Sequence, residues 1–174
     1  MGQQTPIIAI VGAGMGGLAL AAALRKVGIT VSVFDQATQF ARVGAGIQIS
    51  PNAFRVLRGL GLEAHIRSFA FQPPSWRSRT WDTGEEKFNY PLGETAEKKY
   101  GAPYCQLHRG DLHAALASLA PPGRVRLNRR LTGIDQTSSH VTLRFADGSE
   151  FTADAVVGAD GTHSIARDIL FGKS

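Results

Sequence analysis

The chain opens with a short apolar, β-branched run, Ile7–Val11, that reads as a buried parallel strand. A glycine-rich turn follows. Residues 18–27 are then apolar and alanine-rich with the period of a helix, and Gly28 stops them. Thr30–Phe34 repeats the strand pattern and ends on Asp35. Residues 47–49 form a short extended piece. Ser50 and Pro51 start a helix with Phe54, Leu57 and Leu60 on its apolar face, Ser50 as its cap, and Gly59 and Gly61 near its end. From residue 71 to 103 the character changes. Pro73-Pro74 punctuates the chain, and residues 76–81 and 88–90 read as strands around a Thr83-Gly84 turn. Residues 94–100 read as a polar helix. Residues 104–107 return as a strand, and 111–119 as a helix with Leu112, Ala115, Leu116 and Leu119 on one face. Residues 125–127, 131–134 and 141–145 are strands, and Asp147-Gly148 is a two-residue hairpin turn. Residues 155–157 read as one more buried strand, running into Asp160-Gly161 and a helix capped by Ser164.

Strands alternating with helices at the start, and a run of strands later, give an α/β class with a parallel sheet and a β-meander. The pattern divides into a first part of a nucleotide-binding domain (1–70), an excursion into a second domain (71–103), and a return to the first (104–174). The turn between the first strand and helix reads Val11-Gly12-Ala13-Gly14-Met15-Gly16-Gly17. This is a dinucleotide-binding fingerprint in its full context of strand, helix and an acid, Asp35, about 20 residues on. Gly12 permits the tight turn, Gly14 lets backbone approach a pyrophosphate, and Gly17 lets the helix pack closely. The helix N–H groups and dipole face the phosphates, and the Asp35 carboxylate accepts from a ribose diol. Its charge argues against a 2′-phosphorylated ribose.

Composition changes the picture little. A net charge of +5 and a pI near 9.8 raise the question of nucleic acid. The basic residues are scattered, apart from Arg124, Arg126, Arg129 and Arg130, and no aromatic stripe joins them. A solvated surface with a few phosphate contacts is expected, with no nucleic-acid partner. The lone Cys105 excludes an internal disulfide and fits a reducing compartment. No signal pattern opens the chain and no apolar run is long enough to span a bilayer, so a cytoplasmic protein without a membrane partner is expected.

A second motif, Asp160-Gly161-Thr162-His163-Ser164-Ile165-Ala166-Arg167, lies at the end of the last strand, on the sheet edge where α/β proteins bind ligands. Together with the fingerprint, with Gly44-Ala45-Gly46-Ile47-Gln48-Ile49-Ser50-Pro51-Asn52, and with Tyr100-Gly101-Ala102-Pro103-Tyr104 running into His108-Arg109-Gly110-Asp111-Leu112-His113, the chain resembles the single-component FAD-dependent aromatic hydroxylases over nearly its whole length. Within them it looks most like the salicylate, 3-hydroxybenzoate and 6-hydroxynicotinate hydroxylases. The resemblance implies a Rossmann-like FAD-binding domain with a parallel sheet and β-meander, plus part of a second, substrate domain. It implies an FAD cofactor, NADH or NADPH as reducing co-substrate, molecular oxygen, and a small hydroxylated aromatic acid as substrate. A homodimer of the intact protein is compatible with it.

By the same resemblance Gly12, Gly14, Met15, Gly16 and Gly17 would cradle the diphosphate of FAD. Asp35 would hold the adenosine ribose, with Gln36 beside it among the cofactor-binding residues. Arg42 and Arg109 would lie along the diphosphate and ribityl chain, and Gln48 beside the flavin or ribityl region. The Leu131 backbone would sit near the adenine, and Asp160 would serve FAD and the reductant. Bidentate-capable arginine suits a diphosphate. No catalytic residue is implied. Where 6-hydroxynicotinate hydroxylases typically carry histidine, this chain has Gln48, which cannot take a proton at neutral pH. That leans towards hydroxybenzoate-like substrates. The family's chains are much longer, and the further part would carry a Gly-Asp flavin motif and most of the substrate pocket. The chain is therefore expected to be an N-terminal fragment, inactive by itself.

An FAD oxidoreductase of the same fold with another substrate, and a non-catalytic nucleotide-binding module, are the rivals. An NAD dehydrogenase fits the fingerprint but leaves residues 160–167 unexplained. Gly172-Lys173-Ser174 resembles the end of a phosphate loop, but the required earlier glycine falls at Arg167. Cys105, His108 and His113 lack a fourth ligand, so no metal site is expected. No serine-hydrolase elbow is present. Trp76 and Trp81 fit either an aromatic pocket or sheet packing.

Overall fold

The computed structural model describes residues 5–40 and 44–172. The chain begins with β1 (Ile7–Val11), α1 (Met15–Lys26) and β2 (Thr30–Phe34). Both strands fall where the apolar pattern put them. The helix starts at Met15, ahead of the expected Leu18, because Gly16 and Gly17 form part of its first turn. Gly28 takes φ +79° and its N–H bonds the Arg25 carbonyl, which ends the helix. Next come β3 (Gly46–Ile49), α2 (Pro51–Gly59), α3 (Glu63–Arg67), β4 (Ser75–Arg79), β5 (Glu86–Pro91), α4 (Gly93–Tyr100), β6 (Cys105–His108) and α5 (Arg109–Ala117). The last elements are β7 (Val125–Arg126), β8 (Leu131–Gln136), β9 (Val141–Phe145), β10 (Glu150–Ala153), β11 (Ala155–Gly158) and α6 (Ile165–Phe171).

The chain folds as two compact units, residues 1–41 with 116–174, and residues 42–115. The second unit is wider than the 71–103 excursion read from the sequence, because β3 and α2 join β6 and α4 in it.

In the first unit a parallel sheet runs β11-β1-β2-β7, and a separate antiparallel meander runs β10-β9-β8. Period-two alternation divides the sheet's side chains. Ala9, Val11 and Phe34 pack against Leu131, Val141, Leu143, Phe145 and Ala153 of the meander and Ala166 of α6. The Phe34 ring meets Phe145 and Phe151, each at 4.9 Å. Burying such a ring contributes about 1.5–3 kcal/mol. Ile10 points the other way, to α1, and a Cβ on Gly17 would stand 3.4 Å from its Cγ2. The strand β11 was expected to be buried. Among the described residues it is the sheet's edge, paired only with β1, and Val157 is 37% exposed.

In the second unit β3 pairs with β6, and β4 with β5. Phe54 and Leu57 of α2, Ile66 of α3 and Ala96 of α4 are buried. Arg58 and Arg67 share the Glu63 carboxylate, Arg67 also reaches Glu97, and its guanidinium lies 5.3 Å from the Phe54 ring centre. Two sequence expectations need correction here. The Ser50 hydroxyl does not cap α2 but bonds the Asn52 side chain at 2.5 Å. Trp81 is outside the strand, in the tight turn between β4 and β5, and is 97% exposed, since the chain reverses at residues 80–85.

Candidate functional site

The fingerprint turn is built by three constraints. Gly12 takes φ +105°, a backbone conformation that favours glycine, and its N–H donates to the Phe34 carbonyl at 2.7 Å. A Cβ there would stand 2.3 Å from the Ala159 carbonyl oxygen, so residues 12 and 159 are packed backbone to backbone. A Cβ on Gly17 would stand 1.9 Å from the Gly12 carbonyl oxygen. This closes the turn on itself as well as onto the sheet. Asp35 then ties the turn to β2: one carboxylate oxygen accepts from the Ala13 N–H at 2.6 Å, the other from the Ala37 N–H at 2.8 Å. A carboxylate has about four acceptor sites, so about two remain for a ligand.

Gly14 and Gly16 behave differently. A Cβ on either meets nothing within 4 Å, and Gly14 has φ −72° and ψ −177°, which any residue adopts. Neither fold nor packing requires glycine there. The space lies at the N-terminus of the 12-residue α1, where Gly14 at the N-cap makes no side-chain cap bond and no acid occupies the first turn. Such a terminus offers unpaired N–H donors and the positive end of the dipole.

Beside this turn a cleft opens at the C-terminal ends of β1 and β2. It brings together Gly12, Asp35, Gln36, Leu131 and Asp160 among the residues singled out from the sequence. Leu131 is buried and Asp35 half-buried. Asp160 bonds the Ser164 hydroxyl at 2.5 Å and the Ala166 N–H at 3.1 Å, and Ser164 caps α6 through the Arg167 N–H. The motif from 160 to 167 is thus a self-supporting corner. A Cβ on Gly158 would come within 2.9 Å of the Ala166 Cβ, so that corner packs tightly on β11.

Gln48 and Arg109 belong to the other unit. Gln48 is exposed on β3, opposite Gln106 in register. Arg109 opens α5, its N–H bonds the Ala45 carbonyl, and its side-chain stem lies beside Gly44. Arg42 lies outside the described residues. Arg129 and His163, which are not among the cofactor-binding residues expected from the sequence, also line the cleft. Arg129 belongs to the basic cluster for which the sequence predicts a solvated surface with a few phosphate contacts. The signal available was its position two residues before Leu131, on the same side of an extended chain. His163 lies within the 160–167 motif, three residues after Asp160. Trp76, proposed as a pocket or packing residue, is 56% exposed on the hairpin, edge-on to Phe88 at 6.3 Å. No group of His, Cys, Asp and Glu among the described residues is arranged to hold a metal. Burial pushes the Cys105 thiol up, which makes it an inert core residue. No helix among the described residues is long and apolar enough to cross a membrane.

Comparison with known proteins gives a consistent result. A sequence family described as "FAD binding domain" matches residues 4–171. The 6-hydroxynicotinate 3-monooxygenase of Bordetella bronchiseptica is 42% identical over 170 residues, covering 98% of this chain and 44% of that protein. The 3-amino-4-hydroxybenzoate 2-monooxygenase PtmB3 of Streptomyces platensis is 45% identical, covering 98% and 43%. The 3-hydroxybenzoate 6-hydroxylase of Klebsiella oxytoca is 36% identical, covering 95% and 42%. Among solved structures, 2,6-dihydroxypyridine-3-hydroxylase from Arthrobacter nicotinovorans superposes with a TM-score of 0.80 at 29% identity, over 98% of this chain and 41% of that one. Klebsiella pneumoniae HpxO, complexed with FAD and uric acid, gives 0.83 at 27% identity, over 94% and 41%. The chain spans less than half the length of these relatives.

Proposed function

The chain belongs to the FAD binding domain family, and from that premise we propose that it is the FAD-holding part of a monooxygenase that hydroxylates a hydroxylated aromatic acid, with NADH or NADPH as reductant and molecular oxygen as co-substrate. The observation that carries the cofactor reading is the open space over Gly14 and Gly16 at an uncapped helix terminus. Two glycines that the protein's own packing does not need fit a diphosphate lying against the backbone. The N–H groups of the first turn of α1, from Met15 to Gly17, would donate to it. The free acceptor sites of Asp35 would take the ribose hydroxyls, and the backbone of Leu131 would meet the adenine. When bound, FAD supplies the redox and oxygen chemistry. The residues of this chain would bind it and orient it.

Asp160 is held by Ser164 and Ala166, so its role is to fix the cleft wall and present its remaining acceptor sites to the cofactor. Gln48 and Arg109 are assigned through the resemblance alone. An amide at position 48 can donate and accept hydrogen bonds but cannot remove a proton from a substrate hydroxyl. This favours a hydroxybenzoate-type acid over a hydroxypyridine. Residues 71–103, with the β4–β5 hairpin and its exposed Trp76 and Tyr90, are the proposed contribution to a substrate domain. The test is a titration of the purified chain with FAD, followed by flavin fluorescence, for the native protein and for Gly14→Val. We expect binding by the native chain and a loss of at least about tenfold in the variant, because a side chain would fill the space meant for the diphosphate. Absence of FAD binding by the native chain, or equal binding by the variant, overturns the assignment.

A further inference from the structure

The cleft has one wall that neither the fingerprint nor the Asp160 motif supplies. After β7 the chain turns sharply at Asn128, which has φ 56° and is the one non-glycine residue at positive φ among the described residues. Asparagine tolerates this conformation better than most residues. The turn is pinned on both sides. The Asn128 N–H bonds the Ala37 carbonyl at 3.0 Å, the Arg129 N–H bonds the Asp35 carbonyl at 2.8 Å, and the Ala146 N–H bonds the Arg130 carbonyl at 2.9 Å. Arg129 is thereby held over the cleft beside Asp35 and Leu131.

Its side chain is also fixed. One guanidinium nitrogen lies 2.8 Å from the Asp147 carboxylate and 3.2 Å from the Asn128 carbonyl. Asp147 stands in the turn between β9 and β10, where the Ser149 hydroxyl and N–H bond its other oxygen at 2.6 and 3.1 Å. Those bonds, with Arg129 a smaller contributor, hold its carboxyl below the usual carboxylate range. The neighbouring Arg126 has a different place, over the rings of Phe34 and Phe151 at 5.6 and 5.2 Å.

We propose that Arg129, positioned by Asp147, is a recognition residue for the nucleobase of the bound dinucleotide, its guanidinium plane forming one face of the base slot. This rests on the FAD reading above. Charge decides between base and phosphate. Asp147 already neutralises Arg129, and two carboxylates, Asp35 and Asp160, line the cleft, so the site is poor for an anion. A planar cation pinned by one edge keeps its faces for stacking on a π-system. The diphosphate has its own place at the α1 terminus.

The test uses the full chain and FAD titration at low and high salt. Arg129→Ala is expected to weaken FAD binding about five- to tenfold, with the ratio to the native protein kept at high salt. Arg129→Lys, which keeps charge and loses the plane, is expected to be as weak as alanine. Asp147→Asn is expected to weaken binding in the native background and to add nothing in Arg129→Ala. Rescue by lysine with a ratio that collapses in salt makes Arg129 a phosphate contact and overturns the proposal. Unchanged affinity in Arg129→Ala overturns it too, and so does an Asp147→Asn effect that persists without Arg129. If the native chain binds no FAD, the reading beneath falls and this inference with it. Thermal unfolding of each variant separates lost binding from lost folding.

Discussion

Ser32 is fully buried in the middle of β2, and its hydroxyl has no hydrogen-bond partner among the described residues. By register it sits opposite Ala9, on the face that packs against the meander. An unpaired buried hydroxyl costs about 1–3 kcal/mol relative to an apolar group of the same shape. Ser32→Ala is therefore expected to leave stability unchanged or raise it by about 1 kcal/mol, read by urea unfolding. A clear loss would reveal a partner for the hydroxyl. Gly17 is the opposite case. Its missing Cβ would stand 1.9 Å from a backbone oxygen that cannot move without opening the turn. Gly17→Ala should destabilise by about 3 kcal/mol or more despite alanine's better helix propensity. A variant as stable as the native chain would show that the turn relaxes freely. The two residues mark the limits of reading from sequence. Gly17 announces itself by spacing in the fingerprint, whereas nothing in the alternation of β2 says that its serine faces inward unpaired.

At the scale of elements, α2, α3 and α4 are joined by charge as well as by apolar contact. Glu63 receives Arg58 first and Arg67 second, and these bonds hold its carboxyl below its ordinary value of 4.5. A carboxyl depressed in the folded state contributes stability above its unfolded pKa, and that contribution disappears as pH falls through the folded pKa. The native chain should therefore lose thermal stability more steeply than Glu63→Gln once pH drops below about 4.5, and the two should converge in stronger acid. Parallel profiles would mean that the pair is screened by solvent and contributes nothing measurable. The partners of Glu63 were not legible in the sequence. Arg67 lies one helical turn on, but Arg58 is on another helix, and α3 itself is too short to show a period.

At the scale of the whole molecule, the basic residues illustrate how position outweighs charge. Arg124 follows a Pro-Pro-Gly turn, is exposed, and is expected to matter little to a ligand. Arg109 opens α5 against Gly44, a position the resemblance assigns to the cofactor. Arg109→Ala should weaken FAD binding by about 1.5–3 kcal/mol, and Arg124→Ala by little, as read by titration of both variants. Equal affinities would remove Arg109 from the site. The same comparison tests the assignment of the second unit to cofactor binding.

Local pattern determined what is local. The β1–α1–β2 unit and the Ser164 cap are set by residues within a few positions of one another and appear in the structure, whereas the turn expected at Asp147-Gly148 is longer than two residues, because the Phe145 N–H bonds the Ser149 carbonyl and Ala146, Asp147 and Gly148 all lie in the loop. The glycine spacing and Asp35 also pointed to a dinucleotide, because each part has a stereochemical reason of its own. Tertiary structure decided what depends on contacts between distant residues. It made β11 a half-exposed edge rather than a buried strand, and widened the second unit to residues 42–115. It also brought residue 12 against residue 159, and set Arg129 beside Asp35 by a left-handed turn and an ion pair from a neighbouring hairpin. Periodicity says which face of an element is apolar, but only packing fixes which other element meets that face, and hence which polar side chain is carried to the cleft.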